Sequence, residues 1–128
     1  MKARWTEREI AAPVEVVWAL LVDVNRWPEW GPSVRRAELS TPHLQLGSRG
    51  RVTTVLGVTA PFVITRFEPG KSWSWAVAGV RATDHRVDDI GNGRSRAAFG
   101  VPLVALPYLA ICRVALRRVS ALAEGEQV

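Results

Sequence analysis

The chain has 128 residues, of which 48% are hydrophobic, so it is long enough to fold as one domain around a buried core. Its formal net charge is +5, and the basic residues, nearly all arginine, are spread from Arg4 to Arg118. A nucleic-acid-binding protein usually gathers its charge in one patch or arm. The scattered distribution therefore argues against a nucleic acid as the partner.

Cysteine and histidine are too scarce for most metal sites. Cys112 is the single cysteine, which excludes a disulfide within the chain and a multi-cysteine metal site. With only His43 and His85 in the sequence, a histidine-rich metal site is not expected either. The chain also lacks phosphate-loop, dinucleotide-binding and nucleophile-elbow motifs. We therefore predict neither a metal ion nor a cofactor.

Nothing in the sequence predicts targeting to a membrane. The N-terminus has no apolar run of the kind found in a signal peptide. The longest uncharged stretch, residues 97–112, is shorter than the roughly 20 residues of a membrane-spanning helix and is interrupted by glycine and proline. A lone cysteine also fits a reducing compartment. We expect a soluble, cytoplasmic protein.

The first 32 residues predict a strand, a helix and a tryptophan-rich turn. Residues 3–10 are expected to form the strand, with one solvated face. Pro13 is expected at the first helical position, where its fixed φ is suitable and its missing N–H is not needed. Trp18 lies on the apolar face of this helix. Pro28 is expected to stop the helix, and the turn occupies residues 27–32.

Alternating polar and apolar residues predict the strands that follow. They are expected at residues 34–40, 48–58, 62–68, 71–78, 82–90 and 94–101. Gly91-Asn92-Gly93 predicts a hairpin between the last two, because glycine and asparagine tolerate positive φ. Successive hairpins indicate an antiparallel sheet.

The C-terminal segment predicts a long amphipathic helix. On a helical wheel that begins at Leu103, Tyr108 and Cys112 lie on the apolar side. Pro107 lacks a donor, so the helix is expected to start or bend near it. Arg113 and its neighbours Arg117 and Arg118 lie on the opposite side, where they form either a solvated face or a contact with an anionic membrane surface.

The segment after the first strand resembles the opening of the SRPBCC superfamily, also called START-like or polyketide cyclase/dehydrase-like. The residues that carry the resemblance are Ala12, Pro13, Glu15, Val16, Val17, Trp18, Asp23, Trp27, Pro28, Trp30 and Pro32. The resemblance implies an α+β helix-grip fold over residues 1–128. In this fold a curved antiparallel sheet wraps around a long C-terminal α-helix, a short helical segment follows the first strand, and a cavity lies between sheet and helix.

Ten residues are candidates for lining that cavity. They are Trp18, Val52, Thr54, Leu56, Trp73, Trp75, His85, Phe99, Tyr108 and Cys112. The two indoles on the strand at 71–78 either line an apolar pocket or fill the core. His85 is either a ligand-binding or acid/base residue or a buried histidine bonded to a neighbour. Tyr108 is expected to direct its hydroxyl toward the cavity, and Cys112 to be an inert buried thiol.

Three functions remain open at this stage. The first is binding of a hydrophobic or amphipathic, lipid- or polyketide-like small molecule. The second is a polyketide cyclase or dehydratase that holds a poly-β-keto chain bent for intramolecular aldol cyclisation, with His85 and Tyr108 as candidate catalytic residues. The third is a partner-binding module, co-chaperone-like or quinone-carrier-like, which a broad exposed apolar patch would favour. Either a monomer or a homodimer is compatible with the sequence.

Overall fold

The computed structural model describes residues 3–126 and contains one seven-stranded antiparallel sheet in the order β1-β7-β6-β5-β4-β3-β2. The strands are β1 Ala3–Ile10, β2 Val34–Leu39, β3 Arg49–Thr54, β4 Thr59–Glu68, β5 Ser72–Val77, β6 Val80–Gly91 and β7 Arg94–Pro102. The chain starts at one edge, crosses to the other edge through helical residues 14–30, and returns strand by strand until β7 pairs with β1. The predicted α+β helix-grip architecture is confirmed.

Three α-helices accompany the sheet. They are α1 Val14–Val22, α2 Trp27–Trp30 and α3 Leu109–Gly125, and short 3-10 segments lie at Val24–Arg26 and Leu103–Tyr108. Helix α3 packs against β1, β7, α1 and α2. The buried face of α3 consists of Cys112, Ala115, Leu116, Val119, Ser120 and Ala123. This is the apolar side that the sequence predicts, and its arginines are exposed.

Neither of the two prolines near α1 has the position that the sequence predicts. Pro13 has extended φ/ψ and precedes the first helical residue, Val14, while its carbonyl accepts the first helical hydrogen bonds. The helix ends at Val22, because Asp23 leaves the helical conformation and its side chain accepts a hydrogen bond from the Asn25 N–H. Pro28 therefore does not stop α1. It lies in the first turn of α2, where proline is well tolerated.

The tryptophans of α2 satisfy the end of α1. The last carbonyls of a helix have no partner within the helix. Here the indole N–H of Trp27 donates to the Leu21 carbonyl at 2.9 Å, and that of Trp30 donates to the Leu20 carbonyl at 3.0 Å. Both indoles are buried. The Trp-Pro-x-Trp segment thus caps α1 and turns the chain toward the sheet.

Strand β3 is shorter than the alternation of residues 48–58 predicts. The Thr54 N–H donates to the Val58 carbonyl and the Gly57 N–H donates to the Thr54 carbonyl, which closes a tight turn. Gly57 has φ of +85°, a conformation that glycine adopts without strain. Pairing with β4 resumes at once at Thr59, so Leu56 lies at the tip of the turn instead of in a strand.

The regular part of the last helix begins at Leu109 rather than at Leu103. Residues 103–108 form a 3-10 segment that is interrupted by the non-helical φ/ψ of Ala105. Pro107 lies within it, so the prediction that the helix starts or bends near this proline is confirmed. None of the residues in this segment is buried, and the helical wheel that starts at Leu103 does not apply to them.

Gly50 in β3 leaves no room for a side chain, and we expect Gly50→Ala to destabilise the protein. A Cβ at this position would lie 2.1 Å from the Glu38 carbonyl oxygen and 2.6 Å from the Phe62 ring. A displaced backbone carbonyl is costly, so the free energy of unfolding should fall by about 1–3 kcal/mol, measured by urea denaturation. Gly125→Ala is the control, since a Cβ there meets nothing within 4 Å. Equal stabilities of the two variants would contradict the prediction.

Candidate functional site

A cleft lies between the inner face of the sheet and the segment that leads into α3. It has an outer part of about 390 Å³ and a deeper part of about 40 Å³. Both parts share the residues Ser33, Val34, Trp75, Thr83 and Tyr108. The outer part is otherwise lined by Val52, Thr54, Val77, Val80, Arg81, Ala82, Val101, Pro102 and Ala105. Its wall is therefore mainly aliphatic and aromatic.

Eight of the ten candidate residues line this cleft. Val52 and Thr54 line the outer part, Trp75 and Tyr108 line both parts, and the deeper part is lined by Trp73, His85, Phe99 and Cys112. Alternation within the strands indicated six of them, and the apolar side of the last helix indicated Cys112, whereas Tyr108 lies in the 3-10 segment before that helix.

The other two candidate residues, Trp18 and Leu56, lie outside the cleft. The Trp18 ring packs against Phe67 at 5.7 Å and borders a separate groove with Asp23 and His43. Leu56 is 88% exposed because β3 ends before it. Ser33 lines the cleft without any signal in the sequence, because it lies in an irregular segment that only the tertiary fold brings there.

His85 is held in one tautomer by a chain of hydrogen bonds. The Trp75 indole N–H, which can only donate, lies 2.9 Å from Thr83 Oγ1, and the Thr83 hydroxyl lies 2.9 Å from His85 Nε2. His85 Nδ1 lies 3.2 Å from the Trp73 carbonyl oxygen, which can only accept. His85 therefore donates from Nδ1, and its Nε2 accepts from Thr83. Both ring nitrogens are occupied by protein groups.

Burial keeps His85 neutral as well. The residue is 4% exposed, and its ring stacks on Trp73 with the centroids 3.8 Å apart. Burial lowers the pKa of His85 to about 4, although the bond to the Trp73 carbonyl and the charge of Asp84 act in the opposite direction. A neutral histidine with both nitrogens engaged is a poor proton shuttle. The geometry favours the interpretation of His85 as a buried histidine bonded to its neighbours.

Tyr108 carries a hydroxyl at the junction between the two parts of the cleft. Its oxygen lies 2.5 Å from Ser33 Oγ, which joins the beginning of α3 to the segment before β2. Tyr108 is 37% exposed, but desolvation of its hydroxyl group is the main cause of a raised pKa of Tyr108. A protonated phenol both donates and accepts hydrogen bonds. Tyr108 and Ser33 are thus able to orient a polar group of a bound molecule.

The Cys112 thiol lies in the deeper part of the cleft, where burial makes it unreactive. Burial raises the pKa of Cys112 to about 11, so the thiol is protonated at neutral pH. This fits the expected inert thiol.

Trp73 provides an unused hydrogen-bond donor in the wall of the deeper part. The residue is 1% exposed, and its Nε1 has no acceptor among the described residues. Leaving a buried donor unpaired costs about 1–3 kcal/mol. An acceptor oxygen on a bound molecule would recover that free energy if it reached this N–H.

Within residues 3–126, no three histidine, cysteine, aspartate or glutamate side chains gather as metal ligands would. Over the same residues, none of the helices combines the length and the apolar character needed to cross a membrane.

Together, the fold and the site define a small helix-grip protein with an apolar cleft between its sheet and its last helix. The chain belongs to the family described as polyketide cyclase / dehydrase and lipid transport, whose model matches residues 5–121. No match is found among curated proteins.

Solved structures confirm the fold. The protein XoxI from Bacillus cereus is similar with a TM-score of 0.76 and 16% identity, over 100% of this chain and 99% of that one. Protein NE0264 from Nitrosomonas europaea has a TM-score of 0.71 and 16% identity, over 98% of this chain and 96% of that one. The di-domain ARO/CYC BexL, from the BE-7585A biosynthetic pathway, has a TM-score of 0.77 and 12% identity, over 97% of this chain and 47% of that one. At these identities the likeness concerns the fold alone.

Proposed function

We propose that this protein binds a hydrophobic or amphipathic small molecule, lipid- or polyketide-like, in the cleft between the sheet and α3, and that it carries or senses this molecule in the cytoplasm. The observation that carries the proposal is the mainly apolar cleft of about 390 Å³. Removal of apolar surface from water would drive binding, at about 25 cal/mol per Å². The family description, which includes lipid transport, supports the same conclusion.

The positions of the polar groups in the cleft indicate where a ligand would carry its own polar group. Tyr108 and Ser33 lie at the junction of its two parts, and the free Trp73 N–H belongs to the deeper part. Such a distribution suits a largely apolar molecule that carries an acceptor oxygen at one end. The deeper part, at about 40 Å³, has room for a small polar group rather than for a ring system.

Cyclase activity is the second candidate, and the name of the neighbour BexL favours it. An aldol cyclisation needs a proton-transfer group and a donor that stabilises the developing enolate oxygen. Tyr108 could serve as the donor, but His85 is neutral and engaged at both nitrogens. The cleft therefore has groups suited to binding a ligand but lacks a free proton-transfer group, and this supports a carrier or sensor rather than an enzyme.

Native mass spectrometry of the protein purified from its own host tests the proposal. We expect a stoichiometric bound compound that is recovered by solvent extraction. Ala82→Phe, which places a ring in the outer part of the cleft, should reduce the bound fraction at least about tenfold, since one lost or blocked apolar group changes affinity by this order. Ala98→Phe is the matched control. It is also a half-buried strand alanine, but it pairs with Arg86 and Glu7 on the outer face of the sheet.

The outcomes separate the candidates. A bound lipid-like compound that Ala82→Phe displaces and Ala98→Phe retains would support a carrier. A cyclised aromatic product in the extract would favour the cyclase, and an assay of His85→Asn would then show whether the histidine takes part. An empty protein, or equal loss in both variants, would overturn the cleft as the binding site.

A further inference from the structure

The exposed large hydrophobic side chains of the described residues gather at one end of the sheet. Three of them lie apart from this group: Leu46 at the opposite end of the sheet, Trp5 over Gly100 on its outer face, and Tyr108 in the wall of the cleft. Leu56 and Val104 are the most exposed, at 88% and 83%. We call this surface the mouth rim, and it consists of Val55, Leu56, Val58, Val80, Leu103, Val104 and Leu106. Singly exposed hydrophobic residues are ordinary, whereas a cluster of this kind marks an interaction surface.

The mouth rim lies beside the outer part of the cleft, because Val104 and Leu106 flank the cleft residue Ala105 in the chain. It comes from the β3–β4 turn, the start of β6 and the 3-10 segment 103–108, all of which lie at the same end of the antiparallel sheet. The Val55 N–H donates to the Ser33 carbonyl at 3.0 Å, and Ser33 contacts Tyr108, so the first and third segments are connected. Val80 belongs both to the rim and to the cleft wall.

The charged residues nearest this end of the sheet are arginines, and two of them are ion-paired: Arg36 lies 3.7 Å from Glu38 and Arg81 lies 3.1 Å from Asp84. The segments 3–5, 31–36, 54–60, 77–82 and 101–109 contain no aspartate or glutamate, and their charged residues are Arg4, Arg35, Arg36 and Arg81. Arg35 donates to the Val55 carbonyl at 3.2 Å, which keeps its guanidinium beside the exposed turn. An apolar tip flanked by cations is the arrangement with which proteins adsorb to anionic bilayers.

We propose that the mouth rim docks this protein on an anionic lipid bilayer, with the mouth of the cleft facing the membrane. Leu56 and Val104 enter the interface, and Arg4 and Arg35 contact lipid phosphates. A second copy of the chain fits this surface less well, because a symmetric contact would bring arginines against arginines. The inference rests on the rim alone and does not depend on which molecule the cleft holds.

Vesicle co-sedimentation tests the docking. We expect the protein to bind vesicles of phosphatidylcholine with 30% phosphatidylglycerol at least about tenfold more tightly than pure phosphatidylcholine vesicles, with the difference shrinking as salt is added. The double variant Leu56→Ser/Val104→Ser should lose at least about tenfold in binding to the anionic vesicles. Leu46→Ser is the matched control, because Leu46 is 64% exposed but lies in the loop before β3, at the other end of the sheet. It should bind as the unchanged protein does.

Three results would overturn the docking proposal. They are an unchanged affinity of the double variant, an equal loss in Leu46→Ser, and the absence of binding to either kind of vesicle. Sedimentation equilibrium that showed a dimer dependent on the rim, without vesicle binding, would assign the rim to a second copy. Native mass spectrometry of the double variant distinguishes the docking proposal from the ligand-binding proposal. A variant that fails only in docking should still carry the bound compound.

Discussion

Replacement of Trp27 by alanine is expected to lower the free energy of unfolding by about 3–5 kcal/mol, as the loss of a large buried aromatic side chain does. Trp27 is 1% exposed. Its ring stacks on Trp73 with the centroids 5.1 Å apart and contacts the rings of Trp75 and Phe62 at 5.2 and 5.7 Å. The substitution removes these contacts and the donor that satisfies the Leu21 carbonyl at the end of α1.

Urea denaturation of matched tryptophan variants measures this effect. Trp27→Phe should recover part of the loss, because a ring still packs against Trp73 while the N–H is absent. Trp5→Ala is the control. Trp5 lies over Gly100 but is 47% exposed, so we expect it to cost about 1 kcal/mol or less. Losses of equal size at Trp27 and Trp5 would show that α2 does not anchor the aromatic cluster.

Acidification from pH 6.5 to pH 4 is expected to remove about 3 kcal/mol of stability through His85 alone. The folded protein holds the pKa of His85 at about 4, below the ordinary value of 6.5 for histidine. Between these values the unfolded chain binds a proton that the folded protein does not bind, so the free energy of unfolding falls as the pH falls. The contribution is fully present above pH 6.5 and is lost by about pH 4, at about 1.4 kcal/mol per pKa unit.

The difference in pH dependence between two proteins isolates this contribution. His85→Phe keeps a ring against Trp73 and cannot titrate, so its stability should depend less on pH in this range, even if it is lower throughout. Carboxylates with lowered pKa, such as Glu29 and Glu124, act in both proteins and cancel in the comparison. His43→Gln, which changes the exposed histidine, should keep the full dependence. A parallel pH profile for His85→Phe would contradict the assignment.

Patterns within short segments predicted most of the strands and turns, because turn conformation and the alternation of strand faces depend on residues close together in the chain. The Gly91-Asn92-Gly93 hairpin forms as expected, with positive φ at all three residues. Arg86 and Asp88, which alternation puts on one face of β6, form an ion pair at 3.0 Å. Predictions were wrong mainly at the ends of elements, where a turn such as that at Gly57 competes with continued alternation.

The role of His85 needed the tertiary structure. Residues two apart in a strand share a face, and Thr83 and His85 are joined by a hydrogen bond of 2.9 Å. The carbonyl of Trp73 and the indole of Trp75 come from the neighbouring strand, and pairing across strands brings them to the histidine. Their positions decide its tautomer and its protonation state, and neither can be read from β6 alone.

By itself the sequence determined the order of the elements and most residues of the inner face, because apolar periodicity records which side of each element is buried. The class of fold followed from the resemblance of the segment after the first strand to a known family. The tertiary structure decided the remaining features. How far the segment 103–108 and α3 stand from the sheet sets the volume of the cleft, and the break at Ala105 and Pro107 sets which apolar side chains stay exposed. Both depend on distances between surfaces that are remote in sequence, and periodicity carries no information about such distances.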